Sequence, residues 1–412
     1  MLIERQNKII NDLPNNSILY LFAGEEIMKS ADQEYTFEVN KNFYYLTNID
    51  QSNMILQISK IDNNISKVIY TKENDPIMAK WVGNRLDNNT ILKMSCVDRV
   101  ENINKFYDIL QNSLNFHRAK QLKIYLDLYQ FKPIPNSNSA LRFATYLKDT
   151  YHINVYDCYN ILCKSRLIKD QNEIDNIKKA INITRTGIEY LTSRISQCKE
   201  QYLQASFNFG LMISGCKKTA FDTIIASGVN ATILHYIDND KEFSKNDLIL
   251  CDLGATYKHY CADITRTFPA NLKFNIRQKD LYNLVLKGQL KVIENAKVGT
   301  TLGKLNQILI DYYKEELPKY NLHKDVSEYY FHSVAHMLGL DTHDINLYGK
   351  DTILENNMII TVEPGLYIED EKIGIRIEDD ILINNDQPIV LSKDIPKSVE
   401  EIELFLITNQ SI

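Results

Sequence analysis

Two glutamates interrupt apolar, strand-like text towards the end of the 412-residue chain: Glu363 in Ile359-Ile-Thr-Val-Glu363-Pro-Gly-Leu-Tyr367, and Glu378 in Gly374-Ile-Arg376-Ile-Glu378-Asp-Asp-Ile-Leu-Ile383. Asp370 and Glu371, with Gly374 nearby, supply a turn between the two arms. About that turn the glutamates are equidistant, so they face each other on one side of a two-stranded ladder. Two carboxylates so placed repel unless a metal ion or a shared proton lies between them. A surface hairpin with two solvated glutamates is the alternative, and for an isolated pair it would be the better one.

A similar arrangement occurs upstream. Leu248-Ile-Leu-Cys-Asp252-Leu-Gly254 and Ala262-Asp263-Ile-Thr-Arg-Thr-Phe268 read as the arms of another hairpin, and a turn centred near Tyr257-Lys258 makes Asp252 and Asp263 a second facing pair. Between the hairpins, Phe331-His332-Ser-Val-Ala-His336-Met-Leu-Gly339-Leu-Asp-Thr-His343-Asp344 holds three of the chain's eight histidines. One buried histidine is usually structural, and a lone His-x-x-x-His is a weak signal. Three histidines beside two carboxylate pairs are harder to dismiss. Four carboxylates with one or two imidazoles form a hard, oxygen-rich donor set able to bridge two divalent ions about 3.5–4 Å apart. The carboxylate majority favours manganese or cobalt over a structural zinc. Such ions lower the pKa of bridging water towards roughly 7 and polarise a carbonyl or phosphoryl oxygen. The residues alone therefore describe a dinuclear metallohydrolase, with amide and phosphoester substrates both open.

The elements that must position these groups follow from periodicity. In Lys164-Ser-Arg-Leu-Ile-Lys-Asp170-Gln-Asn-Glu173, Asp170 and Glu173 make a capping box, and Ile174, Ile177, Ile181, Ile188 and Leu191 follow at helical spacing. A second domain thus starts on a long amphipathic helix, giving residues 1–163 and 164–412. Two further helices are expected from about Arg277 to Ala296 and from Leu302 to Glu316, with Gly299 ending one and Thr300 capping the next. Helix, aspartate hairpin, helices, glutamate hairpin suggests a duplicated α+β fold. The N-terminal half reads as an α/β domain, with strands at 17–22, 43–46, 53–58, 67–70 and 123–126 and helices near 75–86 and 138–147. It has neither a P-loop nor a glycine-rich dinucleotide fingerprint. Its lone tryptophan, Trp81, is read first as core or interface packing.

Composition bounds the partners. The length implies two domains, and a net charge of −6 gives no basic footprint for nucleic acid. No apolar run is long enough to span a bilayer, so no membrane partner is expected. Seven cysteines without a CxxC fit a reduced, cytoplasmic setting.

Taken together, Asp252-Leu-Gly-Ala, Ala262-Asp263-Ile-Thr-Arg-Thr-Phe-Pro, His332-x-x-x-His336-x-x-Gly-Leu-Asp-x-His343-Asp, Glu363-Pro-Gly-Leu-Tyr367 and Gly374-Ile-Arg376-Ile-Glu378-Asp-Asp resemble the pita-bread metallopeptidases, specifically the Xaa-Pro aminopeptidases (aminopeptidase P). Ala31 to Thr47 and Trp81-Val-Gly-Asn-Arg-Leu86 are similar to that family's N-terminal domain, except that Asn48 follows Thr47 where the family usually has glycine. The resemblance implies a pita-bread catalytic domain in which Asp252, Asp263, His336, Glu363 and Glu378 ligate two divalent ions, with Asp263 and Glu378 bridging. Manganese is the first expectation, with cobalt or zinc as alternatives. The reaction implied is hydrolysis of the N-terminal Xaa-Pro bond of peptides by a metal-bridging hydroxide. Glu363 would also accept the proton of the attacking water, and His235, His332 and His343 would stabilise the oxyanion or assist protonation of the leaving nitrogen. Arg376 and Tyr367 would orient ligands or substrate, with a structural ion pair the equal alternative for Arg376. A homodimer or homotetramer is implied, in which Trp81 is a candidate to reach a neighbour's site. An Xaa-Pro dipeptidase is the runner-up. From another class, a catalytically inactive peptide-binding protein could share the fold, but such relatives tend to lose ligands.

Overall fold

A computed structural model describes residues 1–134 and 137–410, and the chain divides into two units, residues 1–165 and 166–412. In the first unit Ser17–Phe22 lies inside a six-stranded mixed sheet ordered Arg99–Asn102, Asn64–Thr71, Met54–Ile61, Ser17–Phe22, Lys123–Leu126, Val155–Asp157. It runs antiparallel to Met54–Ile61 and parallel to Lys123–Leu126. Alternation sends Ile18 and Tyr20 to one face, where they join Phe106 and Leu110 of the helix Phe106–Phe116 and Phe143 and Leu147 of Ser139–Tyr151. Edge-on contacts at 5.5 Å between the Tyr20 ring and each of Phe106 and Phe143 fix that packing.

Two expectations in this unit fail. Phe43-Tyr-Tyr-Leu46, aromatic enough for a strand, belongs to the helix Lys41–Thr47 and is buried throughout. Asn40 caps its start by accepting from Phe43 N, and Asn48 closes it at φ 56°. Asparagine is one of the few residues with a side chain that tolerates this left-handed conformation, so Asn48 does the work of the family's usual glycine. Of the helix expected over 75–86, only Ala79–Val82 forms, stopped by Gly83 at φ 86°.

The second unit begins with the helix Gln171–Thr192. Asp170 and Glu173 form the reciprocal capping box, and Ile174, Ile177, Ile181, Ile188 and Leu191 are all buried. A helix absent from the sequence reading, Glu200–Ile213, packs against it. This addition makes the duplication more regular. Two helices precede the strands Ile224–Ser227, Leu248–Leu253 and Ile264–Pro269, and two more, Ile276–Asn295 and Leu302–Glu316, precede Ile359–Val362, Gly365–Ile368, Ile373–Arg376 and Asp379–Leu382. The cap of Leu302–Glu316 is Thr301, one residue beyond the expected Thr300. No helix among the described residues is long and apolar enough to cross a membrane.

Candidate metal centre

The glutamate hairpin has the register expected of it. Gly365 lies opposite Arg376 and Val362 opposite Asp379, so the same register sets Glu363 opposite Glu378. At the glutamates the ladder opens: Glu363 N donates to Val334 O at 2.8 Å and Glu378 N to Thr265 O at 3.0 Å. The turn differs from expectation. It is a helical turn, Glu369–Glu371, closed by Lys372 at φ 55°. Gly374 lies in the strand instead, where a Cβ would sit 1.9 Å from Ala231 O. Its lack of a side chain serves close backbone approach.

The aspartate hairpin turns one residue later than expected. Lys258 and His259 both have positive φ, as a two-residue hairpin turn of this twist requires. Asp252 therefore faces Thr265, and Asp263 is its diagonal neighbour on the same face. The pair still converges on one site, but diagonally.

His332 and His336 lie on an irregular segment that meets the glutamate hairpin at an isolated bridge, Met337 to Ile360, and through main-chain bonds from Thr361 N and Glu363 N. His336 Nε2 is 3.5 Å from Asp263 Oδ2 and 3.5 Å from Glu363 Oε1. Its Nδ1 is 3.1 Å from Met337 O, which accepts a hydrogen bond from that nitrogen and turns Nε2 towards the two carboxylates. Asp263, His336 and Glu378 bring one donor atom each to within 4.8 Å of one another. Glu378 Oε2 accepts from Thr265 Oγ1 at 2.7 Å. Arg376 donates to Asp252 Oδ2 at 2.6 Å and to the Tyr367 hydroxyl at 2.9 Å, while Asp252 Oδ1 is buried with no hydrogen-bond partner.

Electrostatics show what such a site needs. Burial, then the charges of Asp252, Asp380 and Glu363, hold Asp263 well above the usual carboxyl range. Burial followed by Asp263 and Glu363 does the same to Glu378, and burial pushes Glu363 to about 7. Four carboxylates share one buried guanidinium, His336 Nε2 points among them, and one carboxylate oxygen has no donor. Divalent cations satisfy all three conditions, so the donor set fits the expected metal ions.

His332 lies beside the ligands. Its Nε2 is 2.9 Å from Tyr367 Oη, its Nδ1 is 2.9 Å from Ser333 O and 3.8 Å from Glu363 Oε2, and burial lowers its pKa to about 3. The His343 ring stands 4.3 Å from that of His336, and desolvation, then His336, lowers its pKa to about 4. Both imidazoles are therefore neutral near pH 7. His235 is exposed and joins His332, His343, Arg376 and the five candidate ligands in lining a cavity of about 730 Å³, with Phe221, Ile224, Leu234 and Ile237 as its apolar wall. Tyr367 is not a lining residue and reaches the site only through His332 and Arg376. Trp81 belongs to the first unit and is 79% exposed, so it is not core packing.

Two residues bearing on the site went unnoticed. Thr265 is two residues beyond Asp263, so strand periodicity puts it on the same face. Asp380, fully buried, accepts from Asp263 N at 3.3 Å through Oδ2. Its signal was a third acid in strand text two residues past Glu378.

Residues 175–385 match the pattern of "Metallopeptidase family M24", and residues 2–125 that of "Aminopeptidase P, N-terminal domain". A Haemophilus influenzae Xaa-Pro aminopeptidase is 31% identical, over 97% of this chain and 95% of its own. Among solved structures, a Bacillus anthracis chain described as an aminopeptidase P aligns at TM-score 0.94 and 41% identity, covering 99% of this chain and 98% of its own. Escherichia coli aminopeptidase P bound to the inhibitor Pro-Leu aligns at 0.86 and 28%, covering 100% and 98%.

Proposed function

Because the chain belongs to metallopeptidase family M24, we propose that it is an Xaa-Pro aminopeptidase, a metal-dependent exopeptidase that removes the first residue of peptides with proline second. The observation that carries this reading is the convergence of Asp252, Asp263, His336, Glu363 and Glu378 on one cavity that also has an apolar wall. Residues 164–412 are the catalytic domain, of pita-bread fold, and residues 1–163 the aminopeptidase P-type N-terminal domain. Those five residues would hold two divalent ions, manganese first. When bound, such ions acidify water and polarise the scissile carbonyl.

The chain's own groups do the rest. Glu363, itself one of the five and a lining residue of the cavity, takes the proton of the attacking water. Neutral His343 and exposed His235 donate hydrogen bonds towards the developing oxyanion or the leaving nitrogen, and His332, its ring nitrogens facing Ser333 O and Tyr367 Oη, lines the cavity beside them. Arg376 orients Asp252 through a charge-assisted bond, and Tyr367 links that guanidinium to His332. Phe221, Leu234 and Ile237 form the apolar surface available to a proline ring, which offers no N–H to bind. Seven free thiols suit a reducing, cytoplasmic setting. The exposed Trp81 suits a homodimer or homotetramer in which a neighbour covers it.

An Xaa-Pro dipeptidase would use the same ligands. The match of residues 2–125 to the aminopeptidase P N-terminal domain favours the aminopeptidase. Incubating the Mn²⁺-loaded protein with Ala-Pro, an Ala-Pro tripeptide and a longer Ala-Pro peptide separates them. Release of alanine from the two longer peptides is expected. Cleavage of the dipeptide alone identifies a dipeptidase, and no cleavage of any identifies a non-catalytic relative.

A further inference from the structure

The segment preceding the long helix carries two cations that the scheme above leaves unused. Arg166 and Lys169 are each only 2% exposed. Arg166 Nη2 lies 2.8 Å from Asp341 Oδ2 and also bonds Asp344 Oδ1, while Lys169 Nζ is 3.1 Å from Asp344 Oδ2. Asp344 is thereby gripped from two sides.

Its own backbone then reaches the ligand set. Asp344 N donates to Met337 O at 2.9 Å, and that same carbonyl accepts from His336 Nδ1 at 3.1 Å. The carbonyl that fixes the His336 tautomer is thus held in place by the residue the two cations grip. Gly339 lies under the carboxylate, where a Cβ would stand 2.2 Å from Asp344 Oδ2, and Gly339 O accepts from Cys261 N at 2.8 Å, two residues before Asp263. His343, whose ring packs on His336, is the neighbour of Asp344 in the chain.

We propose that Arg166 and Lys169 are positioning residues: through Asp344 they fix the loop from Met337 to Asp344, and so aim His336 Nε2 and His343 at the metal centre. The proposal rests on the metallopeptidase reading. A planar guanidinium suits the task because it engages two carboxylates at once in fixed geometry, which an ammonium does not reproduce. A merely structural ion cluster is the competing account, and it affects stability alone.

The test compares Arg166→Lys, Asp341→Asn and Asp344→Asn with Leu309→Ala, a buried apolar truncation on the helix Leu302–Glu316 that supplies a destabilised control. Three quantities are read: the calorimetric Kd for Mn²⁺ on metal-stripped protein, kcat and KM for an Ala-Pro tripeptide at saturating Mn²⁺, and the thermal midpoint. Arg166→Lys and Asp344→Asn are expected to weaken Mn²⁺ binding by about 10-fold to 100-fold, and to lower kcat while KM moves by less than about threefold. Leu309→Ala is expected to lower the midpoint and leave Kd and kcat unchanged. Arg166→Lys with wild-type Kd and kcat but a lowered midpoint overturns the proposal. Should Arg166→Lys or Asp344→Asn fail to fold, Asp341→Asn, which removes one of the two Arg166 partners, decides by the same readouts. A wild-type protein that binds Mn²⁺ but cleaves no Xaa-Pro peptide sinks the substrate reading, whereas the shift in Kd still judges the clamp.

Discussion

Stripping the divalent ions and titrating Mn²⁺ back at several pH values reads the protons that the carboxylates hold in their absence. In the ion-free site, burial and the facing charges hold Asp263 and Glu378 well above the usual range, and Glu363 lies at about 7. At pH 7 burial and the facing charges favour the protonated forms of Asp263 and Glu378, and Glu363 holds about half a proton. Donors must ionise to bind a cation, so loading the site releases at least about half a proton. Mn²⁺ affinity should therefore rise by at least about 0.5 decade per pH unit near pH 7, about 0.7 kcal/mol per unit. Calorimetry in two buffers of equal pH and different ionisation enthalpy counts the protons directly. A Kd that does not change from pH 6 to 8, with no proton release, refutes the reasoning. Stability carries the same sign. At Asp263, Glu363 and Glu378 the folded, ion-free protein binds more protons than the unfolded chain, whose carboxyls titrate near about 4, so the stability these groups contribute is greatest at low pH and falls as pH rises through the folded values. Asp344 and Asp379 have the opposite sign, since the cations beside them outweigh burial and lower their pKa; the stability they contribute is lost only as pH falls below about 4. His332 and His343, neutral when folded, add stability as pH rises from about 4 to about 6.5, so it is above about pH 7 that the ion-free protein should lose stability with rising pH and the ion-loaded protein should not.

Glu363→Ala should lower kcat on an Ala-Pro tripeptide by at least about 100-fold while the circular dichroism spectrum stays native, since it removes a ligand and the proton acceptor together. Gly374→Ala should destabilise the ion-loaded protein to urea by at least about 3 kcal/mol, because the new methyl group meets the backbone oxygen of Ala231. Asn48→Ala should cost about 1 kcal/mol and Asn48→Gly close to nothing, a contrast in urea midpoints that reports the left-handed helix end alone.

Where side-chain period and turn position agreed, the site was legible. The glutamate hairpin is symmetric about its turn, so its pairing could be counted from the sequence even though Gly374 was assigned the wrong job. The aspartate hairpin could not be counted so well. Its turn is Lys258-His259, with none of the Asn-Gly chemistry that marks such turns, and a one-residue shift of centre moves a facing pair to a diagonal. Phe43-Tyr-Tyr-Leu46 misled because a short aromatic run buried on all sides has no period to read. Glu200–Ile213 escaped for lack of a side-chain cap and because its apolar residues extend onto the exposed face, at Tyr202, Phe209, Met212 and Ile213. The role of Arg166 and Lys169 depends on contacts across about 175 positions of sequence, which local patterning cannot reach.

The interruption of the glutamate ladder explains how ligands from separate segments keep their spacing. One register runs from Ile359 opposite Leu382 through to Ile368 opposite Ile373, yet at the two glutamates the main chain turns its N–H groups outward. Glu363 N and Thr361 N bond Val334 O and His336 O at 2.8 and 2.9 Å, which ties the first arm to the histidine segment. Glu378 N bonds Thr265 O at 3.0 Å, which ties the second arm to the aspartate hairpin, and the Thr265 hydroxyl returns to Glu378 Oε2 at 2.7 Å. Hydrogen bonds given up within one ladder are remade to the two other ligand-bearing segments, so neither glutamate N–H is left unpaired. The mutual positions of Asp263, His336, Glu363 and Glu378 thus rest on main-chain bonds that survive the loss of any one of their side chains. A frame of this kind holds three mutually repelling carboxylates around His336 before any cation arrives, and the raised pKa values of Asp263, Glu363 and Glu378 record the cost of doing so.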